Sequence, residues 1–183
     1  LLNKQNKDGG WPLFFDGESD ISASVKAYYA LKLSGLKKNN PTLVKAKTFI
    51  LKNGGAENVN VFTRISLALF GQISWHSIPY MPIEIINFPK WFPFNIYKIS
   101  YWSRTVLVPL LVIMNKKPLA NNPNNISIEE LFINPNKSPS VKALDSSGFF
   151  PSFFLVLDKI ARFFFSNFIS KNYKSKCIDD VYE

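Results

Sequence analysis

Apolar residues recur at helical spacing through the first 75 residues. In 22–33 (SASVKAYYALKL), Val25, Tyr28, Tyr29 and Leu33 share a face, and the spacing predicts an amphipathic helix. Asp20 or Ser22 can cap its start, and Gly35 stands just past its end. Asn40-Pro41 has the composition of an N-cap followed by a first helical residue. Leu43, Val44, Ala46, Phe49 and Ile50 then carry a second helix to Gly54-Gly55, and a third is predicted over about 61–70, stopped by Gly71. The stretch KAKTFILKNGG echoes the opening LLNKQNKDGG: apolar residues, polar residues, then a double glycine, at a spacing of about 45–50 residues, which suits a repeat fold. The expected class is all-α, an α-α barrel (α-toroid) or α-solenoid of helix-turn-helix repeats, with no sheet beyond a stray pair of strands.

The pattern changes in the middle of the chain. Nine of the twelve prolines lie between Pro79 and Pro139, so long regular helices are not expected throughout this stretch. A short helix is predicted over 81–87 and a longer one over 95–115, kinked at Pro109, which removes a backbone donor. Residues 118–140 form a polar, Asn- and Pro-rich loop, with one helical turn at 127–132 supported by a capping box, Ser127-x-x-Glu130.

Residues 149–170 are predicted as an amphipathic helix. Ser152, Asp158, Lys159, Arg162, Ser166 and Ser170 fall within an arc of about 120°. Phe149, Phe150, Phe153, Phe154, Phe163, Phe164, Phe165 and Phe168 supply most of its apolar surface. Lys159, Arg162, Lys171, Lys174 and Lys176 give the segment a basic edge. That combination fits a helix lying in a membrane interface. The pattern favours that reading over a helix buried in a large protein, whose other residues would cover the phenylalanines. Val106 to Met114 is apolar, but far shorter than the ~20 residues a bilayer requires.

Composition narrows the classes. Hydrophobic residues make up 46% against 19% charged, which is folded rather than disordered material. The net charge of +9 favours anionic partners. Its cations are spread along the chain and no nucleic-acid recognition module is visible, so no nucleic acid is expected and an anionic membrane surface is. Cys177 is the single cysteine and His76 the single histidine, which argues against an internal disulfide, a zinc site or any metal cofactor. No signal-peptide pattern occurs. The opening resembles the last turn of a helix and the end (Lys176 to Glu183) the start of one, as in a fragment of a longer protein.

Gln5-Asn6-Lys7-Asp8-Gly9-Gly10-Trp11 is the most informative motif. Asp8-Gly9 marks a turn, Gln5 offers amide donors and an acceptor, and Trp11 a broad flat ring. The spacing Gln-x-x-x-Gly-x-Trp resembles the QW motif of triterpene cyclases, in which the glutamine ties neighbouring helix ends together beneath a stacked tryptophan. Longer phrases, among them QNKDGGWPLF, ASVKAYYALKLSG, NVFTRISLALFGQISW and MPIEIINFPKWFPFNIYKISYWSRTVLVPLLVIMNKKP, are similar to squalene-hopene cyclases over nearly the whole chain. The similarity is to the amino-terminal part of the enzyme, in the barrel domain that does not carry the catalytic acid.

The resemblance implies a cofactor-free cyclase that protonates squalene and closes rings through carbocations held over aromatic faces, each worth ~1–2 kcal/mol or more when desolvated. It implies a homodimer attached as a monotopic protein to the cytoplasmic face of the bacterial inner membrane. It places Trp102 in the central cavity. It places Ile99 and Leu107 at the constriction of the substrate channel, where the best-known family pattern has phenylalanine and valine. Gln5, Gly9 and Trp11 would be structural, and the phenylalanines of 149–168 would dock on the membrane. The family's Asp-x-Asp-Asp acid is absent; Cys177-Ile178-Asp179-Asp180 is a near miss, read as a solvated helix start. A non-catalytic α-repeat protein that binds membranes through the Phe-rich helix is the competing reading. Arg64 and Arg104, set in apolar helices, are expected to form structural ion pairs.

Overall fold

A computed structural model describes residues 1–91, 95–122 and 124–134, together with Ile178. The phenylalanine-rich segment 149–170, Cys177, Asp179 and Asp180 lie outside the described residues, as does the end of the polar loop. The chain divides into two compact units, one formed by Leu1–Ile78 with Leu119–Ser146, the other by Pro79–Pro118 with Ser147–Glu183.

The first unit is built on three helices: α1 (Ile21–Leu33), α2 (Pro41–Lys52) and α3 (Val61–Leu69). Each begins where a side chain can satisfy an orphan amide. The Asp20 carboxylate accepts from Ala23 N, the Asn40 amide oxygen from Thr42 N, and the Asn60 amide oxygen from Thr63 N. The three ends are also alike. A glycine at positive φ (Gly35, Gly54, Gly71) lets the next residue's amide reach back to the carbonyl of Leu31, Ile50 or Leu67. The sequence rules therefore set both boundaries correctly.

The buried face consists of Val25, Tyr28 and Leu31 from α1, Leu43, Ala46 and Ile50 from α2, and Ile65, Leu67 and Ala68 from α3. Each large apolar side chain so buried contributes about 1.5–3 kcal/mol. Three positions depart from the apolar periodicity: Leu33 and Val44 lie at the surface, while the charged Lys32 is buried. A two-stranded antiparallel sheet, β1 (Trp11–Pro12) with β2 (Ser19–Asp20), packs on α1 and is the only sheet among the described residues. The returning segment adds Ile128 and Leu131, fully buried, with Leu131 closing the 3-10 turn Glu129–Leu131 that packs on α2.

In the second unit, α4 (Tyr101–Lys116) packs on the 3-10 segment Ile83–Asn87, with Ile83, Leu111 and Val112 as the core and Met81, Ile86, Leu107 and Ile178 packed against it. The predicted helix over 95–115 is divided. Residues Ile96–Lys98 form a separate 3-10 turn, because the Ser100 hydroxyl accepts from Ser103 N and restarts the helix there. The predicted helix over 81–87 is likewise a 3-10 segment.

Candidate functional site

The Gln5–Trp11 corner is a closed hydrogen-bonded turn. Asn6 N donates to Gly10 O and Gly9 N to Asn6 O, at 2.9 and 3.0 Å. The Asp8 carboxylate accepts from Gly10 N (3.0 Å) and from the Ser19 hydroxyl (2.7 Å). Gln5 Nε2 donates to Gly9 O at 2.8 Å and to Thr42 O at 2.9 Å, so a single amide joins the turn to the first turn of α2. Gly9 has φ +94°, and a Cβ there would stand 2.6 Å from the Lys45 carbonyl oxygen; no side chain fits. Trp11 is 3% exposed. Its backbone amide donates to the Ser24 hydroxyl (2.8 Å) and its indole Nε1 to Leu1 O (3.0 Å). The corner borders an open groove of about 750 Å³ lined by Leu1, Gln5, Trp11, Phe14, Phe15 and Ala27.

Ile99 lies just before α4, Trp102 in its first turn and Leu107 near its middle. Trp102 is 80% exposed and meets Tyr101 edge-on, with ring centroids 6.1 Å apart. Ile99 is half-buried. Leu107 packs against the Ile83, Leu111 and Val112 cluster. At 3.6 residues per turn, Trp102 and Leu107 lie about 140° apart around the helix axis, so the described residues do not bring them onto one face. Among the described residues there is no group of three or more His, Cys, Asp or Glu side chains able to hold a metal, and no helix long and apolar enough to cross a membrane.

Arg64 and Glu130 stand out in the sequence, but the two polar clusters they form do not. In the first, Lys32, 6% exposed, donates to Glu130 Oε1 at 2.7 Å and to the Ser127 carbonyl, while the Tyr28 hydroxyl donates to the same Glu130 oxygen at 2.8 Å. Lys38 adds a looser contact at 3.7 Å. Burial pushes the Tyr28 hydroxyl up, and the Glu130 hydrogen bond and charge push it further. Burial alone would raise the Glu130 carboxyl; the Lys32 hydrogen bond, its own backbone amide, Tyr28 and the Lys32 charge outweigh it and hold the group below its ordinary value. The expected capping box is therefore not formed. Ser127 Oγ accepts from Glu129 N, and the Glu130 side chain turns to α1 instead of its own backbone.

The second cluster surrounds Arg64. Its guanidinium donates to the carbonyls of Glu57, Val59 and Ser77. Burial lowers its pKa, and the Glu57 charge opposes that shift. The only sequence signal for either cluster was a charged residue inside an apolar periodicity.

These features define a mostly helical unit with a Gln–Gly–Trp corner that ties its opening turn to the start of α2. The whole chain, residues 1–183, matches the family described as the squalene-hopene cyclase N-terminal domain. It is 48% identical over 162 residues to the squalene-hopene cyclase of Zymomonas mobilis, covering 87% of this chain and 24% of that protein. It is 50% identical over 143 residues to the enzyme of Bradyrhizobium diazoefficiens, covering 78% and 22%, and 52% identical over 126 residues to that of Schizosaccharomyces japonicus, covering 69% and 19%. The chain belongs to the squalene-hopene cyclase family, and spans about a quarter or less of the length of these relatives.

Proposed function

We propose that the protein carrying this chain is a squalene-hopene cyclase, and that the chain forms part of its non-acid α-α barrel domain. The match of residues 1–183 to the family's N-terminal domain carries this reading. Squalene is a hydrocarbon with no group to grip, so selectivity must come from shape, and the reaction runs through cations that any nucleophile would intercept. Indole and phenol faces stabilise such cations without attacking them. Trp102, with Tyr101 beside it, supplies that surface in this chain, and Ile99 and Leu107 would set the width of the channel leading to it. The Asp-x-Asp-Asp acid is not in these residues, so the chain alone should leave squalene unchanged. Full-length protein incubated with squalene should release polycyclic triterpenes detectable by gas chromatography, and no product from a folded full-length protein would overturn the assignment.

The membrane belongs to the same proposal. Squalene partitions into lipid, so a direct path from bilayer to cavity avoids water. The phenylalanines 163–165 would insert, and neighbouring cations can each add about 1 kcal/mol at an anionic surface. Attachment to the cytoplasmic face of the inner membrane and a homodimeric state complete the proposal. Replacing Phe163, Phe164 and Phe165 by serine should release the full-length protein from anionic vesicles in a flotation assay; a folded variant that still floats fully would place the docking surface elsewhere.

A further inference from the structure

The second unit holds an unresolved electrostatic problem. Glu84 is the single acid between Pro79 and Pro118 in the sequence, and it is 1% exposed. Among the described residues neither of its carboxylate oxygens has a hydrogen-bond partner. Arg104 Nε is also buried without one. A buried carboxylate and a buried guanidinium nitrogen left apart are each strongly unfavourable, and pairing them removes both penalties together.

Position selects the same partner. Glu84 belongs to the 3-10 segment Ile83–Asn87, which packs on α4. On α4, Arg104 lies about 20° from Leu111 around the helix axis, and Leu111 is in the cluster with Ile83. Arg104 is thus on the stripe of α4 that faces the segment bearing Glu84. The other cations described in this unit, Lys90, Lys98, Lys116 and Lys117, are exposed; Arg104 is the one partly covered, with its Nε buried.

The pair would also answer a mechanical need. The fully buried residues of α4 are Leu111 and Val112, both beyond Pro109. Pro109 cannot donate to the Thr105 carbonyl, so the helix is weakened between its two halves. In the half before Pro109, Tyr101, Trp102, Ser103, Thr105 and Val106 are exposed, and Arg104, Leu107 and Val108 are only partly covered. The half that carries Trp102 has no deep apolar anchor.

We propose that Glu84 is the charge partner of Arg104, and that this pair positions the Trp102-bearing half of α4. Its consequence for product rests on the cyclase reading; the pairing itself does not. The guanidinium fork takes the carboxylate by side-chain rotation, with the backbone of both segments kept as described.

The test is a double-mutant cycle in the full-length protein with Glu84→Gln, Arg104→Gln, both together, and the exchange Glu84→Arg with Arg104→Glu. Thermal unfolding and product distribution from squalene are read on each. Each single change should lower Tm by several degrees and kcat by about tenfold or more, with KM little altered and a larger share of incompletely cyclised product. The double Gln variant should be no worse than the worse single, and the exchange should recover part of both losses. Effects that simply multiply in the double variant would overturn the pair. If a single variant fails to fold, an exchange variant that folds supports the pair, and one that does no better than the other single overturns it. A wild-type protein inert toward squalene would remove the cyclase reading, while the unfolding cycle would still decide the pairing.

Discussion

Removing the Glu130 side chain should detach the returning segment from α1. In Glu130→Ala the Lys32 ammonium loses its charge partner while staying buried, and the Tyr28 hydroxyl loses its acceptor. Breaking a buried pair from one side costs about 3–5 kcal/mol. Lys32 keeps the Ser127 carbonyl, and Lys38 is exposed, so its loss counts for little. The expected cost is therefore about 2–4 kcal/mol. That cost falls on local opening of the segment through Ile128 and Leu131, whose amides donate to Gln72 Oε1 and to Ile128 O. At 1.36 kcal/mol per factor of ten, hydrogen exchange of these two amides should accelerate by about 30- to 1000-fold, while amides in the centre of α3 change little. Lys32→Met with Glu130→Leu should restore most of the protection, because a well-packed apolar pair avoids the desolvation of two charges. Acceleration of less than about threefold in Glu130→Ala, or a double variant as labile as the single, would refute the assignment of this cluster as the fastening.

Four further outcomes are expected. Because Glu130 titrates lower in the folded than in the unfolded chain, its contribution is complete above the ordinary carboxylate range of about 4 and is lost as pH falls through its depressed value; protection of Ile128 should drop in that acidic window and be pH-independent near neutrality. Tyr28 has the opposite sense: above about pH 10 the unfolded chain gives up a proton that the folded chain retains, so stability should decline there, and Tyr28→Phe should lessen that decline, leaving the part due to Tyr29, which burial also raises. Gly9→Ala should cost about 2 kcal/mol or more, read as a drop in Tm, since the positive φ and the Lys45 carbonyl both oppose a Cβ. In the full-length protein, Trp102→Ala should lower turnover and release partly cyclised products while Trp102→Phe is milder; an unchanged rate and product profile in Trp102→Ala would reduce Trp102 to packing.

The parts of the fold governed by neighbouring residues were legible in the sequence. Asp20, Asn40, Gly35, Gly54 and Gly71 act within four residues of themselves, so their types announced where α1, α2 and α3 begin and end. The Gln5–Trp11 corner was legible as a turn, but its bond from Gln5 to Thr42 spans 37 residues and no local rule supplies it. Glu130 shows the limit most clearly. Ser127-x-x-Glu130 has the spacing of a capping box, yet a buried cation from α1 competes for the carboxylate and wins, because a charged donor in a dry site outweighs a backbone amide. Arg64 was suspected of needing partners, but backbone carbonyls from three places are invisible in a one-dimensional pattern. Trp102 is singled out by family resemblance alone; its exposure gives composition-based reasoning nothing to work with.

The Lys32–Glu130 contact has a further consequence during synthesis of the chain. Its two ends are 98 residues apart. At ribosomal rates of 5–20 residues per second, Lys32 emerges about 5–20 s before the carboxylate that will cover it. Through that interval α1 and α2 can already be paired, with the position that will later be sealed still facing water. A leucine there would present a sticky patch to every passing nascent chain. A lysine waits fully hydrated, and is desolvated only when its own downstream partner arrives.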